Sequence, residues 1–241
     1  MTDDGYFGEE VAAHYDHPSD SDPSVIGPMI DFLAGYAPAG QALEFAIGTG
    51  RVALPLAARG VQVSGIELSR AMASRLRAKS GGEDIPVTIG DMATTRVAGD
   101  FDLVFLVYNT INNLVTQDAQ VACFANAAAH LRTGGAFVVE VGVPQLQRLP
   151  MGERLVPFDL SDRHWGVDEY DVVTQEFWSH HLHIRDGGLR RNSVPFRYVW
   201  PSELDLMARL AGLRLTKRVA DWTGAPFTLT SPSHVSVWVK D

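Results

Sequence analysis

The stretch Gln41-Ala42-Leu43-Glu44-Phe45-Ala46-Ile47-Gly48-Thr49-Gly50-Arg51 decides the fold. A short apolar run carries one acid, Glu44, and enters Gly48-Thr49-Gly50, after which the apolar spacing becomes helical. A strand that turns straight back into a helix needs residues that tolerate unusual backbone angles, and glycine does because it lacks a Cβ. The second glycine also admits a ligand close to the backbone. The following helix opens with unpaired N–H groups that favour polar or anionic ligand atoms. Strand, acid, Gly-x-Gly and helix together make a crevice at the carboxyl end of a parallel strand.

The same alternation continues on the C-terminal side. Strands are predicted over 42–47, 61–66, 85–89, 101–107 and 136–143, and helices over 52–59, 70–79 (with Ser69 as N-cap) and 116–131. This is the pattern of a doubly wound, mostly parallel α/β sheet of Rossmann-like type. Two helices, over 8–15 and 23–36, precede it. After Val143 the pattern changes. Alternating runs over 171–184 and 189–200, joined by Asp186-Gly187-Gly188, predict a hairpin within an antiparallel insertion. Pro201-Ser202 caps a helix over 203–211. Strands over 213–220 and 234–239 follow with no helix between them, so they run antiparallel. The chain divides into an N-terminal helical lid (1–37), a ligand-binding core (38–143), an antiparallel cap (144–200) and a C-terminal helix and hairpin (201–241) that complete the core sheet.

Composition excludes several classes. The 241 residues suffice for one α/β domain with an elaborated cap. The formal net charge is −9 and no basic cluster exceeds Arg190-Arg191, which argues against nucleic acid. No apolar run approaches the ~18 residues of a spanning helix, and the acidic start MTDDGYFGEE is not a signal peptide. The expectation is a cytoplasmic protein with no membrane partner. Cys123, the single cysteine, reads as a small buried apolar residue.

Three acids stand at the ends of successive strands at nearly equal intervals: Glu44, Glu67 and Asp91. In a doubly wound sheet these ends line one crevice. Glu67 can accept both hydroxyls of a ribose, Asp91 can accept an exocyclic amino group, and Leu68 and Met92 can sandwich a purine. This arrangement resembles the class I S-adenosylmethionine-dependent methyltransferases. The first motif of that family has an acid followed by glycines at alternate positions. Here it reads Glu44-Phe45-Ala46-Ile47-Gly48-Thr49-Gly50, with Ala46 in place of the usual first glycine.

The resemblance implies a seven-stranded sheet with a reversed C-terminal strand, and S-adenosyl-L-methionine as cofactor with S-adenosyl-L-homocysteine as product. It implies that the Gly48–Gly50 turn contacts the methionine part, Glu67 the ribose, and Asp91 and Met92 the adenine. Tyr108 and Asn109 would lie near the transferred methyl. The Val11-Ala12-Ala13-His14-Tyr15-Asp16 stretch looks like a segment whose tyrosine closes over the cofactor, which makes Tyr15 a lid residue. The remaining candidate cofactor contacts are Glu44, Ala46, Thr49, Arg51, Leu68, Met72 and Val107. The whole chain is similar to small-molecule methyltransferases that include sugar-amine N-methyltransferases. Neither an Asn-Pro-Pro-Tyr nor a Pro-Cys motif is present, which disfavours nucleobase modification.

The competing reading is a nicotinamide-dependent oxidoreductase, because Gly48-Thr49-Gly50-Arg51-Val52-Ala53 fits G-x-G-x-x-G/A. Glu44 before the glycines, Asp91-Met92 and the C-terminal hairpin favour the methyltransferase. A non-catalytic protein that binds S-adenosylmethionine or S-adenosylhomocysteine is the third reading.

Methyl transfer to N or O of a small molecule is an in-line displacement that needs a positioned acceptor and, for many acceptors, a base. His181 and Tyr15 are the candidate catalytic residues. His180-His181-x-His183 alternates faces on a strand, so His181 and His183 share one face and His180 takes the other. No His, Asp or Glu set shows metal-ligand spacing along the chain, so no metal is expected. His14 reads as a surface residue, Arg51 as a partner for a nearby acid, and Glu140 and Asp102 as supports of the sheet. Arg197 and Tyr198 face the acceptor or cover the sheet. Of the tryptophans Trp165, Trp178, Trp200 and Trp222, some are expected in the core, and several together point to an apolar acceptor cavity. The exposed hairpin edge offers a homodimer contact.

Overall fold

The computed structural model describes residues 5–16, 22–37, 40–185 and 188–241. Two helices come first, α1 (Glu9–Ala13) and α2 (Pro23–Ala34). Asp22 caps α2 by accepting from the Ser24 amide at 2.8 Å, and Pro23 stands in the first turn, where its missing N–H costs nothing. The core then alternates β1 (Gln41–Phe45), α3 (Ala53–Ala58), β2 (Gln62–Glu67), α4 (Arg70–Arg77), β3 (Val87–Ile89), β4 (Phe101–Leu106), α5 (Gln117–His130) and β5 (Leu131–Gly142). Ser69 and Thr116 cap α4 and α5, accepting from Met72 and Ala119 at 3.1 Å each.

Four strands follow: β6 (Leu155–Leu160), β7 (His164–Tyr170), β8 (Glu176–Arg185) and β9 (Gly188–Arg197). α6 (Pro201–Leu210), β10 (Leu213–Val219) and β11 (Ser233–Lys240) end the chain.

The main sheet has seven strands in the order β10-β11-β5-β4-β1-β2-β3. Strands β1 to β5 are mutually parallel, and β11 runs antiparallel to both β5 and β10. The reversed last strand expected from the sequence is therefore present. Strand order reverses beside β1, which has β2 on one side and β4 on the other, and a doubly wound sheet opens its ligand crevice there. Successive strand residues face opposite layers. Leu43, Phe45, Val104 and Leu106 pack under α5 and α6 with Phe124, Phe137 and Trp238. Leu103 and Phe105 pack on the other face with Ile30, Leu33 and Leu56 of α2 and α3. No helix among the described residues is long and apolar enough to cross a membrane.

The cap differs most from expectation. It is a four-stranded antiparallel sheet, β6-β7-β8-β9, rather than one hairpin. The run expected to begin at Asp171 starts at Glu176, because residues 172–174 form a turn and Gln175 adopts a left-handed φ of 61°. Asp186 and Gly187 of the expected hairpin turn lie outside the described residues. Pro201 is the first helical residue of α6 and Trp200 its cap.

A buried ion pair fixes the cap to the core. Arg197, 4% exposed at the end of β9, donates to Glu203 Oε1 of α6 at 2.7 Å and to Gln175 Oε1 at 3.0 Å. It also donates to Gln120 of α5, which donates back to the Arg197 carbonyl at 3.1 Å. Burial opposes ionisation of Glu203, but hydrogen bonds from Gln175, Gln117 and Arg197 outweigh it and hold the carboxyl below its ordinary range. Arg197 therefore serves this joint. Asp102 does support the sheet, accepting from the Gln41 amide at 3.3 Å and pairing with Arg132.

Removing one partner of such a pair strands the other charge in the interior. Arg197→Met is expected to destabilise the chain by about 3–5 kcal/mol in denaturant unfolding, and Arg197→Met with Glu203→Met to recover part of that loss. Additive losses in the double variant would contradict the joint.

Candidate active site

The crevice is built around the turn after β1. Ala46, Gly48 and Gly50 all take positive φ, at 52°, 59° and 80°. A Cβ on Gly50 would meet Leu76 Cδ1 at 2.2 Å, and its φ is one that side chains rarely adopt. Ala46 occupies a conformation that disfavours side chains, and such strain gathers at functional turns. Glu67, at the end of β2, accepts from the Gly48 amide at 2.7 Å and from the Ser69 amide at 2.8 Å, one to each oxygen. Beneath it, Glu44 is 4% exposed and its Oε2 has no hydrogen-bond partner. Burial, then the charge of Glu67, pushes the Glu44 carboxyl well above the usual range, opposed by a hydrogen bond from the Ala53 amide. Met72 is buried against the turn, and Val107 is buried at the end of β4. Asp91, after β3, accepts from the Ala93 amide at 2.7 Å through Oδ1 and is exposed. Its neighbour Met92 is buried, and Leu68 is exposed beside Glu67.

The N-terminal segment closes over this turn. Ala12, Phe7 and Tyr15 pack on Ala71 and Met72 of α4, and Ser69 Oγ donates to the Phe7 carbonyl at 2.6 Å. Thr49 Oγ1 donates to Asp16 at 2.6 Å, and Lys79 reaches Asp16 at 2.8 Å and the Thr49 carbonyl at 2.7 Å. Burial works against ionisation of Asp16, but hydrogen bonds from Lys79 and Thr49 outweigh it and hold the carboxyl below its ordinary range. Arg51, expected to pair with an acid, donates to the Tyr15 carbonyl at 3.5 Å and places its guanidinium 5.0 Å from the centre of the Tyr15 ring and 4.9 Å from that of Tyr108.

After β4, Tyr108 and Asn109 both hold left-handed φ, at 56° and 59°. The Tyr108 amide donates to Glu140 Oε2 at 2.9 Å, and Asn109 Oδ1 accepts from the Gly142 amide at 2.5 Å. Trp222 Nε1 donates to the other Glu140 oxygen at 3.2 Å. Glu140 thus supports the strained loop after β4.

Between this loop, Tyr15 and the inner face of the cap lies a cavity of about 510 Å³. Tyr15, Tyr108, Asn109 and His181, predicted separately, all line it. Leu68, Asp91 and Met92 do not; they stand at the carboxyl ends of β2 and β3. Sequence reasoning missed most of the cap wall: Phe158, Asp168, Tyr170, Phe177, Ser179 and Phe196. Only register identifies them, because Asp168 pairs with Ser179 and Tyr170 with Phe177 across β7 and β8. Tyr198 lines the cavity, as one of its two expected placements required.

The tryptophan expectation fails: among the described residues that line the cavity there is none, and Trp165 and Trp178 are exposed. Strand alternation sends them to the outer face. His180 also leaves, to bond Ser193 at 2.8 Å and Glu169 at 3.3 Å.

Two polar groups mark the cap wall. Asp168 Oδ1 is buried and has no hydrogen-bond partner, and burial holds its carboxyl above the ordinary range against a Ser179 hydrogen bond and the His180 charge. His181 Nδ1 lies 2.9 Å from His164 Nε2, and His181 Nε2 lies 3.2 Å from Ser179 Oγ. Burial, then the neighbouring imidazoles, lowers the His181 pKa. The linear spacing did not reveal His164, which β7 carries into register with His183.

Comparison with known proteins agrees with this geometry. The family model described as "Methyltransferase domain" matches residues 42–135. Cypemycin N-terminal methyltransferase of a Streptomyces species is 27% identical, over 96% of this chain and 96% of its own. The solved CcbJ methyltransferase of Streptomyces caelestis is 35% identical with a TM-score of 0.86, covering 99% of this chain and 100% of its own. The S-adenosylmethionine-bound structure of CalS10, an amino pentose methyltransferase from Micromonospora echinaspora, shares the fold at 24% identity and a TM-score of 0.67, over 96% of each chain. All are methyltransferases, and the nicotinamide and non-catalytic readings find no support among them. With its glycine turn, strand-end acids and reversed last strand, the chain belongs to the class I S-adenosylmethionine-dependent methyltransferases.

Proposed function

We propose that the chain methylates an amine nitrogen of a small molecule seated between the core and the cap. The observation that carries this reading is Asp168, a carboxylate whose buried Oδ1 has no partner, in a cavity walled by Tyr108, Tyr170, Phe177, Phe196 and Tyr198. A buried acceptor without a donor is costly, and aromatic faces attract cations. An ammonium or amine satisfies both, whereas a phenol or alcohol satisfies only the first. The name of the cypemycin N-terminal methyltransferase accords with this class.

The crevice fits the cofactor. Glu67 is aimed by two backbone amides, and a carboxylate so placed can accept ribose hydroxyls. Asp91 keeps Oδ2 for the adenine amino group, and Glu44 Oε2 is a buried acceptor beneath the Gly48–Gly50 turn, where the methionine end would rest. When bound, S-adenosylmethionine supplies a methyl carbon already activated by sulfonium. The chain's own work is to place and deprotonate the acceptor. Asp168 holds the acceptor nitrogen. Tyr15 and Tyr108 close the cavity at the end next to the glycine turn and exclude water. Asp159 holds the proton of His164 on Nδ1, so His164 Nε2 accepts from His181 Nδ1–H. His181 Nε2 then presents a lone pair to the cavity beside Ser179 Oγ, positioned to receive the acceptor's proton. A second copy of the chain would add to the open edge of the cap sheet at β6.

Replacing Glu67 with Ala is expected to weaken S-adenosylhomocysteine binding by about 1–3 kcal/mol in calorimetric titration, through loss of a charged acceptor. Unchanged affinity would remove Glu67 from the cofactor site. Asp168→Asn, assayed with an amine acceptor, is expected to lower kcat/KM by roughly 10–100-fold while cofactor affinity stays constant. Equal kcat/KM would sink the amine reading. His181→Gln is expected to lower kcat by roughly 100-fold or more, with KM little changed, and an undiminished kcat would assign the proton elsewhere.

A further inference from the structure

Strands β7 and β8 pair with His164 opposite His183 and Gly166 opposite His181. Residues two apart on a strand share a face, so His181 and His183 stand side by side with His164 across from them. One ring nitrogen from each lies within 4.8 Å of the other two. The His181 and His183 rings are nearly parallel, at 4°, and the His164 and His183 rings stack with centroids 4.5 Å apart. Each residue is partly buried rather than open to solvent.

We propose that His164, His181 and His183 form a binding site for a divalent transition metal of the zinc type, with a fourth position left for water. Imidazole nitrogen suits zinc, copper, nickel and cobalt, whereas magnesium and calcium require oxygen ligands. Zinc–nitrogen bonds of ~2.0–2.1 Å in a tetrahedron set the nitrogens roughly 3.3 Å apart. The His164–His181 spacing of 2.9 Å is already close to that, and the third ring closes by side-chain rotation.

The groups behind the rings are those of a metal centre. Asp159 Oδ2 lies 2.5 Å from His164 Nδ1, which leaves Nε2 as donor atom, and Ser179 Oγ lies beside His181 Nε2, which leaves Nδ1. Partners of this kind orient the ring plane of metal-binding histidines. On the apolar side, the Phe158 ring covers Gly166, where a Cβ would meet it at 2.2 Å, and stands 5.4 Å from the His181 ring.

Occupancy has a consequence for catalysis, and this part rests on the proposed proton transfer to His181. Without metal, His181 carries its proton on Nδ1 and offers Nε2 to the cavity. Coordination through Nδ1 forms the metal–nitrogen bond and moves that one proton to Nε2, where it faces Ser179. No proton is released, but the ring can no longer accept one from the substrate. Metal loading therefore inhibits methyl transfer without displacing the cofactor.

The test uses the full chain, stripped with a chelator and titrated with zinc by calorimetry and with cobalt by visible absorption. One metal per chain and the intense visible band of four-coordinate cobalt are expected. His183→Gln or His164→Ala, each verified as folded by thermal denaturation, is expected to weaken zinc binding by at least roughly 100-fold, and Asp159→Asn by roughly 10-fold. His180→Ala, on the opposite face, leaves it unchanged. No zinc uptake by the parent chain, or equal uptake by folded His183→Gln, would overturn the site. In the transfer assay, zinc is expected to inhibit the parent chain and spare His183→Gln. Binding with undiminished turnover would overturn the inhibition and leave the site standing, and neither binding outcome depends on the amine reading.

Discussion

Glu67 is the residue on which the crevice depends. Its carboxylate takes the Gly48 amide from the turn after β1 and the Ser69 amide from the start of α4. Charge-assisted bonds of this kind are about twice as strong as neutral ones. They hold two separate loops at one distance, with the acid between them. Ser69 extends the link outward, because its hydroxyl caps α4 and also reaches the Phe7 carbonyl of the N-terminal segment. Thr49, Asp16 and Lys79 tie the same segment down from the other side of the turn. Crevice, helix cap and N-terminal segment are therefore one hydrogen-bonded unit.

The parts of this unit were legible in the sequence because their chemistry is local. Gly48 and Gly50 declare a left-handed turn, Ser69 declares a helix start, and an apolar run followed by an acid declares a strand end. The cap was legible only in part. Pro157 lies within β6 and Gly166 within β7, and both residues weaken a strand pattern. Those segments are strands because β7 pairs with β6 on one side and β8 on the other, which is a long-range fact. The cavity wall was hidden for the same reason. Asp168 belongs to no motif, and its role appears only when it stands beside Ser179. Similarly, His164 joins His181 and His183 through register alone. For Trp165 and Trp178 the cavity expectation failed on parity, since one residue of shift along a strand exchanges the cavity for the solvent.

The proposed acceptor site lies where two sheets of different character meet. The parallel sheet supplies a generic crevice with strand-end acids and a strained loop at Tyr108 and Asn109. The antiparallel cap supplies an aromatic wall with a few polar groups, which is the usual composition of a small-molecule site. The Arg197–Glu203 pair fixes the distance between the two, because it joins the end of β9 to α6 under the core sheet.

The most direct measurement is the position of a labelled methyl group. The chain is incubated with S-adenosylmethionine carrying a labelled methyl and with a matched pair of acceptors, identical except that one presents an amine and the other a hydroxyl. Label is expected on nitrogen, with the hydroxyl partner unmodified. Label on oxygen, with the amine left untouched, would contradict the role given to Asp168 and the aromatic wall.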